Sequence, residues 1–301
     1  MDVSIIIVNY KTFKLTKNTI ISVIQNTKDL EYEIIVVDNA SNDNSIEKIQ
    51  EYFKDQIIVI KNDKNIGFGS ANNCGIKISK GKYVFLLNSD TILLNNAIKY
   101  LFEFMENNPR AAITGGNLYD LNLNPTHSYS EIPSLKTQFN SQFNYIEKIY
   151  KRILGKRSDF NYTMEPKKVG YITGADMMIR RNILLEVGFF DEDFFMYSEE
   201  AELTSRIKKL NMDVYSIPYA KIIHLESKST RVKLSKVKMM QESYYKYFYK
   251  VYGMNSLKFA YLIFHYGTYL KAILTFNKLY LDIIKINKDE FLKFLNSVKK
   301  D

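Results

Sequence analysis

Four short apolar runs, each followed by a helix-like stretch, constrain this chain more than any other feature. "SIIIV" at 4–8 is β-branched and does not alternate with polar residues, so it reads as a parallel strand covered on both faces. "KLTKNTIISVIQNT" at 14–27 then takes helical spacing through Leu15, Thr19, Ile20, Val23 and Ile24. "EIIVVDN" at 33–39 and "SIEKIQEYF" repeat the pair. "IIVIKN" at 57–62 precedes "GFGSANNCGIKIS", a turn into a helix, and "YVFLLNSD" at 83–90 is a fourth strand. Strand and helix alternating at this spacing predict a doubly wound α/β sheet. Ligands on such sheets lie beyond the carboxyl ends of the strands. Asn9 and Tyr10, Asp38 and Asn39, Asn62, and Asn88 to Asp90 all fall there, so four strand ends should converge on one place.

Beyond about residue 115 the alternation fades. The segment 120–165 is polar and basic, with Pro125 and Pro133, and reads as a long excursion of the kind that forms a binding surface. "VGYITGADMMIRRNILLEVGFF" resumes as a strand into a helix, and "MDVYSIPYAKIIHLESKST" reads as short strands. From Arg231 the chain is basic, aromatic and helical. The expected division is therefore a domain over 1–230 and an extension over 231–301 for oligomerisation or membrane association. No internal repeat is evident.

Composition narrows the partners. The 301 residues suffice for a real core, and an excess of nine basic over acidic side chains suggests an anionic ligand or surface. Nucleic acid suits the charge but has no motif behind it, and none is expected. Cys74 is the single cysteine, so no internal disulfide forms and a reducing cytosol is the expected compartment. The start lacks the basic region and apolar length of a signal peptide. The uncharged run at 259–270 falls short of the roughly 20 residues that cross a bilayer. A cytoplasmic location follows, with contact at the inner face of a membrane open to the extension.

Several residue groups carry chemistry. Asp90 in "LLNSDT" stands at a strand end, where a carboxylate ligates a divalent cation or, alternatively, caps a helix starting near Ile92. "GFGSANNCG" has glycines at 67, 69 and 75, but its spacing and its place after the third strand disfavour a dinucleotide fingerprint. In the acidic stretch 191–202, Ser198 is suited to cap a helix whose first turn holds Glu199 and Glu200. The aromatic "FFMY" before it puts that carboxylate pair against an apolar wall, as a general base would want. His224 ends an apolar strand and is one of three histidines.

"SIIIVNYKT", "IIVVDNASNDNS", "KNIGFGSANNCGI", "FLLNSDT", "TGADMMIRR", "GFFDEDFFMYSEEAELTSRI" and "IIHLESKST" follow one another over residues 4–230. In that order they resemble the inverting family 2 glycosyltransferases, particularly the bacterial rhamnosyltransferase-like branch. The resemblance implies a GT-A fold, a Rossmann-like and mostly parallel sheet, here with a C-terminal helical extension. It implies nucleotide and donor contacts at Val8, Tyr10, Asp38, Asn39, Asn65, Gly67, Asn73, Asn88 and Ser89, with Gly174, Ala175 and Asp176 lining the donor-sugar pocket. Asp90 corresponds to the metal carboxylate, whose first partner is here Asn88, and His224 to a position that completes the shell around Mn2+ or Mg2+. Glu200 corresponds to the catalytic base and Glu199 to its neighbour. The implied partners are a nucleotide sugar, either dTDP-rhamnose or a UDP-hexose, and a glycan, lipid-linked or glycoprotein acceptor, in a homo-oligomer. The competing readings are a non-catalytic carbohydrate- or nucleotide-binding scaffold of the same fold and, less well, a nucleotidyltransferase.

Overall fold

β1 (Val3–Asn9), β2 (Tyr32–Asp38), β3 (Ile58–Lys61) and β4 (Tyr83–Leu87) pair in parallel in the order β3-β2-β1-β4. The structure is a computed structural model that describes residues 1–143, 157–225 and 234–299. Burial explains why these strands do not alternate. Ile5, Ile7, Val36 and Phe85 enter one apolar cluster, while Ile6, Ile35, Val37 and Leu86 enter a second on the other face. Successive side chains leave a strand on opposite faces, and both faces are covered. α1 (Phe13–Asn26) and α4 (Ala97–Asn107) supply Ile20, Val23, Leu101 and Met105 to the first cluster; α3 (Phe68–Ile78) supplies Ala71 and Ile76 to the second. α2 (Ser45–Phe53) adds Ile46, Ile49 and Phe53 to the first.

The glycines of "GFGSANNCG" have structural work. Gly67 takes φ +89° at the start of α3. A Cβ on Gly75 would stand 2.7 Å from Ile6 Cγ2, so the bare backbone lets α3 lie close to β1.

The sheet continues beyond β4 with mixed polarity. β5 (Thr91–Leu93), β6 (Ala111–Tyr119), β10 (Asp176–Arg180) and β11 (Asp213–His224) extend it as β4-β10-β6-β11-β5, and β8 (Lys167–Lys168) pairs with β11. β10 runs antiparallel to both neighbours, and β6 and β11 are parallel. A separate pair joins β7 (Tyr129–Ser130) to β9 (Tyr171–Ile172). Two expectations change here. β4 stops at Leu87, and the helix expected near Ile92 is strand β5, the next helix beginning at Ala97. Thr91, Ile92 and Leu93 pair with His224, Ile223 and Ile222 along β11, which takes them out of any helix and removes the capping role of Asp90. The short strands expected around 213–224 are a single strand, irregular between Ile217 and Lys221.

The chain divides into two compact units. The first comprises Met1–Glu131, Arg157–Glu192 and Leu203–Ser227, and includes the whole sheet and α6 (Arg181–Val187). The second comprises Ile132–Lys156, Asp193–Glu202 and Lys228–Asp301. Two segments that precede residue 230, Ile132–Lys156 and Asp193–Glu202, fall in this unit, and the expected boundary near 230 lies outside the described residues. That unit contains α5 (Leu135–Phe143), the first turn of α7 (Glu199–Lys208), α8 (Leu234–Thr275) and α9 (Leu279–Val298). α8 breaks at Gly253, φ +81°. Tyr261 stacks on Phe291 with centroids 4.0 Å apart, Tyr245 hydrogen-bonds Asn287, and Tyr247 and Tyr252 both donate to the Pro133 carbonyl. These contacts use the aromatic bias as helix-to-helix packing. No helix among the described residues is long and apolar enough to cross a membrane.

Candidate active site

The polar strand tips of the first unit meet. Asn9 is the hub: its Nδ2 donates to Asp38 Oδ1 at 2.7 Å and lies 3.0 and 2.9 Å from the Ser41 and Ser45 hydroxyls. Its Oδ1 accepts from Thr12 and Thr16. Asp38 also accepts from Ser41 Oγ, and from the Ser41 N–H on Oδ2. Among the described residues Oδ2 accepts that one bond, so it keeps acceptor capacity for a ligand hydroxyl or N–H. Asn39 donates to Asn65 Oδ1 at 2.9 Å and to the Gly67 carbonyl, and accepts from Ile66 N–H and Asn62 Nδ2. Asn65 accepts in turn from Gly67 N–H at 3.0 Å, which closes the 65–67 turn over the ends of β2 and β3. Ala40, Asn42 and Asn44 are left-handed, an arrangement Asn tolerates well. Tyr10 is exposed at the rim and Val8 is half-buried below it.

Asn88, Ser89 and Asp90 follow β4. Ser89 is held by Thr19, which donates to its carbonyl, and by Thr12, 3.3 Å away. Asp90 Oδ1 lies 3.3 Å from His224 Nε2, and Asn88 Nδ2 lies 3.4 Å from the same nitrogen. The register of β5 on β11 causes this meeting, because Thr91 opposes His224. One carboxylate oxygen and one imidazole nitrogen suit Mn2+ or Mg2+, and the Asp90 side chain stays 25% exposed, so solvent and phosphate oxygens can reach it. Among the described residues no group of three or more His, Cys, Asp or Glu gathers for a metal.

Other expected donor residues are buried. Ala175 accepts from Asn88 N–H at 3.0 Å. Asp176 is fully buried; Oδ2 accepts from Gly116 N–H at 2.6 Å and Oδ1 has no partner. Burial pushes this carboxyl well above its ordinary range, against the pull of the Gly116 N–H, which favours its protonated form inside the sheet. Gly174, beside them, is buried too. Asn73 gives both ends of its amide to the Phe190 backbone, at 2.8 and 3.0 Å, and so supports α3 against the 188–190 turn.

Glu199 and Glu200 belong to the second unit. Lys246 donates to the Asp193 carbonyl, Lys250 pairs with Asp193, and Ser243 donates to the Met196 carbonyl, so α8 holds the acidic loop in place. Tyr197 and Ser198 follow with φ +72° and +65°. Two consecutive non-glycine residues in the left-handed region are strained, and such strain clusters at functional sites. Ser198 occupies the expected cap position through its carbonyl, which accepts from Glu202 N–H at 2.9 Å. Glu199 is 1% exposed and its Oε2 has no partner. Burial raises this carboxyl well above its ordinary range, and the Glu200 charge raises it further. Both effects favour the protonated form of Glu199 beside a half-buried Glu200.

Sequence reasoning left parts of the tip network unassigned. Thr12, Thr16, Ser41 and Ser45 tie Asn9 and Asp38 together without touching solvent in the way a ligand residue does. The available signal was the pair of threonines at helix spacing on an otherwise apolar stripe.

Comparisons with known proteins bear on the family and the fold. The model for Glycosyl transferase family 2 matches residues 4–188. A low-salt glycan biosynthesis hexosyltransferase of Haloferax volcanii, Agl10, is 28% identical over 231 residues, covering 74% of this chain and 67% of that protein. An uncharacterized glycosyltransferase of Methanocaldococcus jannaschii is 40% identical over 110 residues, 35% of this chain and 38% of the relative's length. A crystal structure of GalNAc-T7 with UDP, GalNAc and Mn2+ superposes with a TM-score of 0.59 at 18% identity, over 82% of this chain and 47% of that one, which shows a shared fold.

Proposed function

The chain belongs to glycosyl transferase family 2, and from that premise we propose that it moves a sugar from a nucleoside-diphosphate sugar to an acceptor hydroxyl by single displacement with inversion. The observation that carries this reading is the meeting of Asp90 with His224 beside a preassembled ring of strand-tip amides and carboxylate. In it Asp38 Oδ2, Asn39, Asn65, Gly67 and Tyr10 bind the nucleoside, with Val8 beneath. Asn88 and Ser89 hold the turn that presents Asp90, Asn73 supports the covering helix, and Gly174, Ala175 and Asp176 form the buried floor behind the donor sugar. Asp90 and His224 would hold Mn2+ or Mg2+, which when bound offsets the charge developing on the leaving diphosphate.

Glu200 is the base. It takes the proton of the acceptor hydroxyl as the oxygen bonds to the anomeric carbon, and the nucleoside diphosphate leaves with the electron pair of the broken C–O bond. The upward shift of Glu199 favours placing the negative charge of the pair on Glu200, which suits a proton acceptor. The donor is a hexose nucleotide or dTDP-rhamnose, in keeping with a rhamnosyltransferase-like branch. The acceptor is a glycan, lipid-linked sugar or glycoprotein, as the glycan-building relative suggests. An oligomer or membrane contact through 231–301 belongs to the same reading; sedimentation and liposome flotation of the full chain read it out.

Two measurements test the proposal. A thermal-shift screen of nucleotide sugars with Mn2+ should single out one donor. Glu200→Gln should then bind that donor as the parent does and lose about 10²–10⁴-fold in kcat. Turnover within tenfold of the parent would remove Glu200 from its role. Asp90→Asn should weaken divalent-dependent donor binding at least ~10-fold and leave EDTA-treated binding unchanged; equal binding with and without the metal would sink the Asp90 assignment.

A further inference from the structure

The first unit contains a cavity of about 330 Å³ that none of the residues assigned above lines. Five of its twelve lining residues are aromatic, enough to make flat walls. Tyr100 meets Tyr219 edge-on at 5.6 Å between centroids. Facing residues Tyr119, Phe160 and Tyr162 follow one another at 5.3 and 4.8 Å.

The frame is fixed by hydrogen bonds the cavity does not need for a ligand. Asn95 donates to the Tyr219 carbonyl and accepts from Lys221 N–H, which pins the irregular stretch of β11. Asn117 donates to the Asn161 carbonyl and Asn161 to the Glu165 carbonyl, which pins the 161–165 turn. Three polar groups are left over. Tyr100 Oη, Tyr219 Oη and Lys221 Nζ have no hydrogen-bond or ion-pair partner among the described residues. The lining has no carboxylate.

The cavity is separate from the metal pair. Lys221 is in register with Asn117 and Ile223 with Tyr119, so these residues share one face of the sheet. His224, one residue beyond Ile223, leaves β11 on the opposite face. Along the strand, Lys221 and His224 are roughly 10 Å apart.

Flat apolar walls with a few unpaired donors match a pyranose ring, whose C–H faces are apolar and whose rim is hydroxyl. An acyl chain would make no use of the two half-buried phenols or of the exposed ammonium. A volume at the low end of the ~300–1,000 Å³ typical of ligand sites fits one ring and part of the next. We propose that this cavity is a second carbohydrate site, which holds a pyranose unit of a glycan away from the reacting centre. Its purpose, retaining a glycan acceptor, rests on the function proposed above; its binding does not.

The test is a printed array of defined pyranose oligosaccharides probed with the full chain, followed by titration of the strongest binder. The parent should bind, and Tyr219→Ala should lose tenfold or more in affinity. Tyr100→Phe, which removes one hydroxyl and keeps the ring, and Lys221→Ala, which removes the ammonium with its stem, should lose about threefold to tenfold. Glu200→Gln should bind the array as the parent does even though its turnover falls about 10²–10⁴-fold, so failure of the reaction and failure of the site are told apart. If Tyr219→Ala does not fold, the other two variants decide. An array without binding, binding indifferent to Tyr100→Phe and Lys221→Ala, or uptake of a dodecyl chain in place of sugars would each overturn the proposal.

Discussion

Asp38, the last residue of β2, and Glu199, the first of α7, are both buried carboxyls where loops with left-handed residues meet these elements, and the two loops treat them differently. In the 38–45 loop Asp38 accepts from Asn9, from the Ser41 hydroxyl and from the Ser41 N–H. The left-handed positions there are Ala40, Asn42 and Asn44, and two of the three are the residue type that adopts this conformation most readily after glycine. In the 193–200 loop Glu199 keeps an oxygen without a partner, and the left-handed positions are Tyr197 and Ser198. The first loop is a finished hydrogen-bonded scaffold. The second stores an unfavourable carboxyl and a strained turn, held by Ser243, Lys246 and Lys250 of α8. On the function proposed above, the first loop would bind and the second would serve the chemistry, since groups that act in the transition state gain from such cost.

If the first loop is finished, breaking its hub should be the most damaging change to stability. Asn9→Leu removes the donor to Asp38 and the acceptor for Thr12 and Thr16, all of them in the interior. Urea unfolding should report a loss of roughly 2–4 kcal/mol. A loss below 1 kcal/mol would mean that the network does not hold the loop.

The second loop predicts a pH signature. The Glu199 carboxyl is raised in the folded chain, so above pH ~4.5 the unfolded chain releases a proton that the folded chain retains. Folded stability contributed by that proton is complete below pH ~4.5 and falls as pH rises, by about 1.4 kcal/mol per pH unit, until the folded carboxyl itself ionises. Glu199→Gln removes this dependence. The variant should gain on the parent steadily from pH 4.5 upward in thermal melts, and a gap that does not change with pH would show that Glu199 is not a buried acid.

The same contrast decides what the sequence could reveal. The parallel strands were legible because two-sided burial requires unbroken apolar runs, and "SIIIV" and "EIIVVDN" are such runs. The meeting of Asp38, Asn39 and Asn62 followed, because strand ends of a parallel sheet share one edge. β5 was not legible: "TIL" is too short to show a period, and it becomes a strand only because β11 offers an unpaired edge. Nor were the second-unit ties to Asp193 and Met196, which join residues about fifty positions apart through backbone carbonyls that every residue has. The aromatic lining of the cavity escaped notice for a similar reason, since Tyr100, Tyr119, Phe160 and Tyr219 lie far apart in the chain.

The smallest expected effect isolates backbone strain from charge. Ser198 is left-handed, a conformation that costs an L-residue about 1–2 kcal/mol and glycine almost nothing. Glycine loses roughly 0.5–1 kcal/mol through the freedom of the unfolded chain. Ser198→Gly should therefore stabilise the fold by about 0.5–1 kcal/mol. Asn44→Gly, at φ +58° in the other loop, should gain close to nothing, because Asn already tolerates that geometry. If the strain at Ser198 positions Glu199 and Glu200, the stabilised variant should also lose kcat with little change in donor affinity. Equal stability gains in both loops, or a gain at Ser198 with unchanged turnover, would reduce the second loop's strain to an incidental turn.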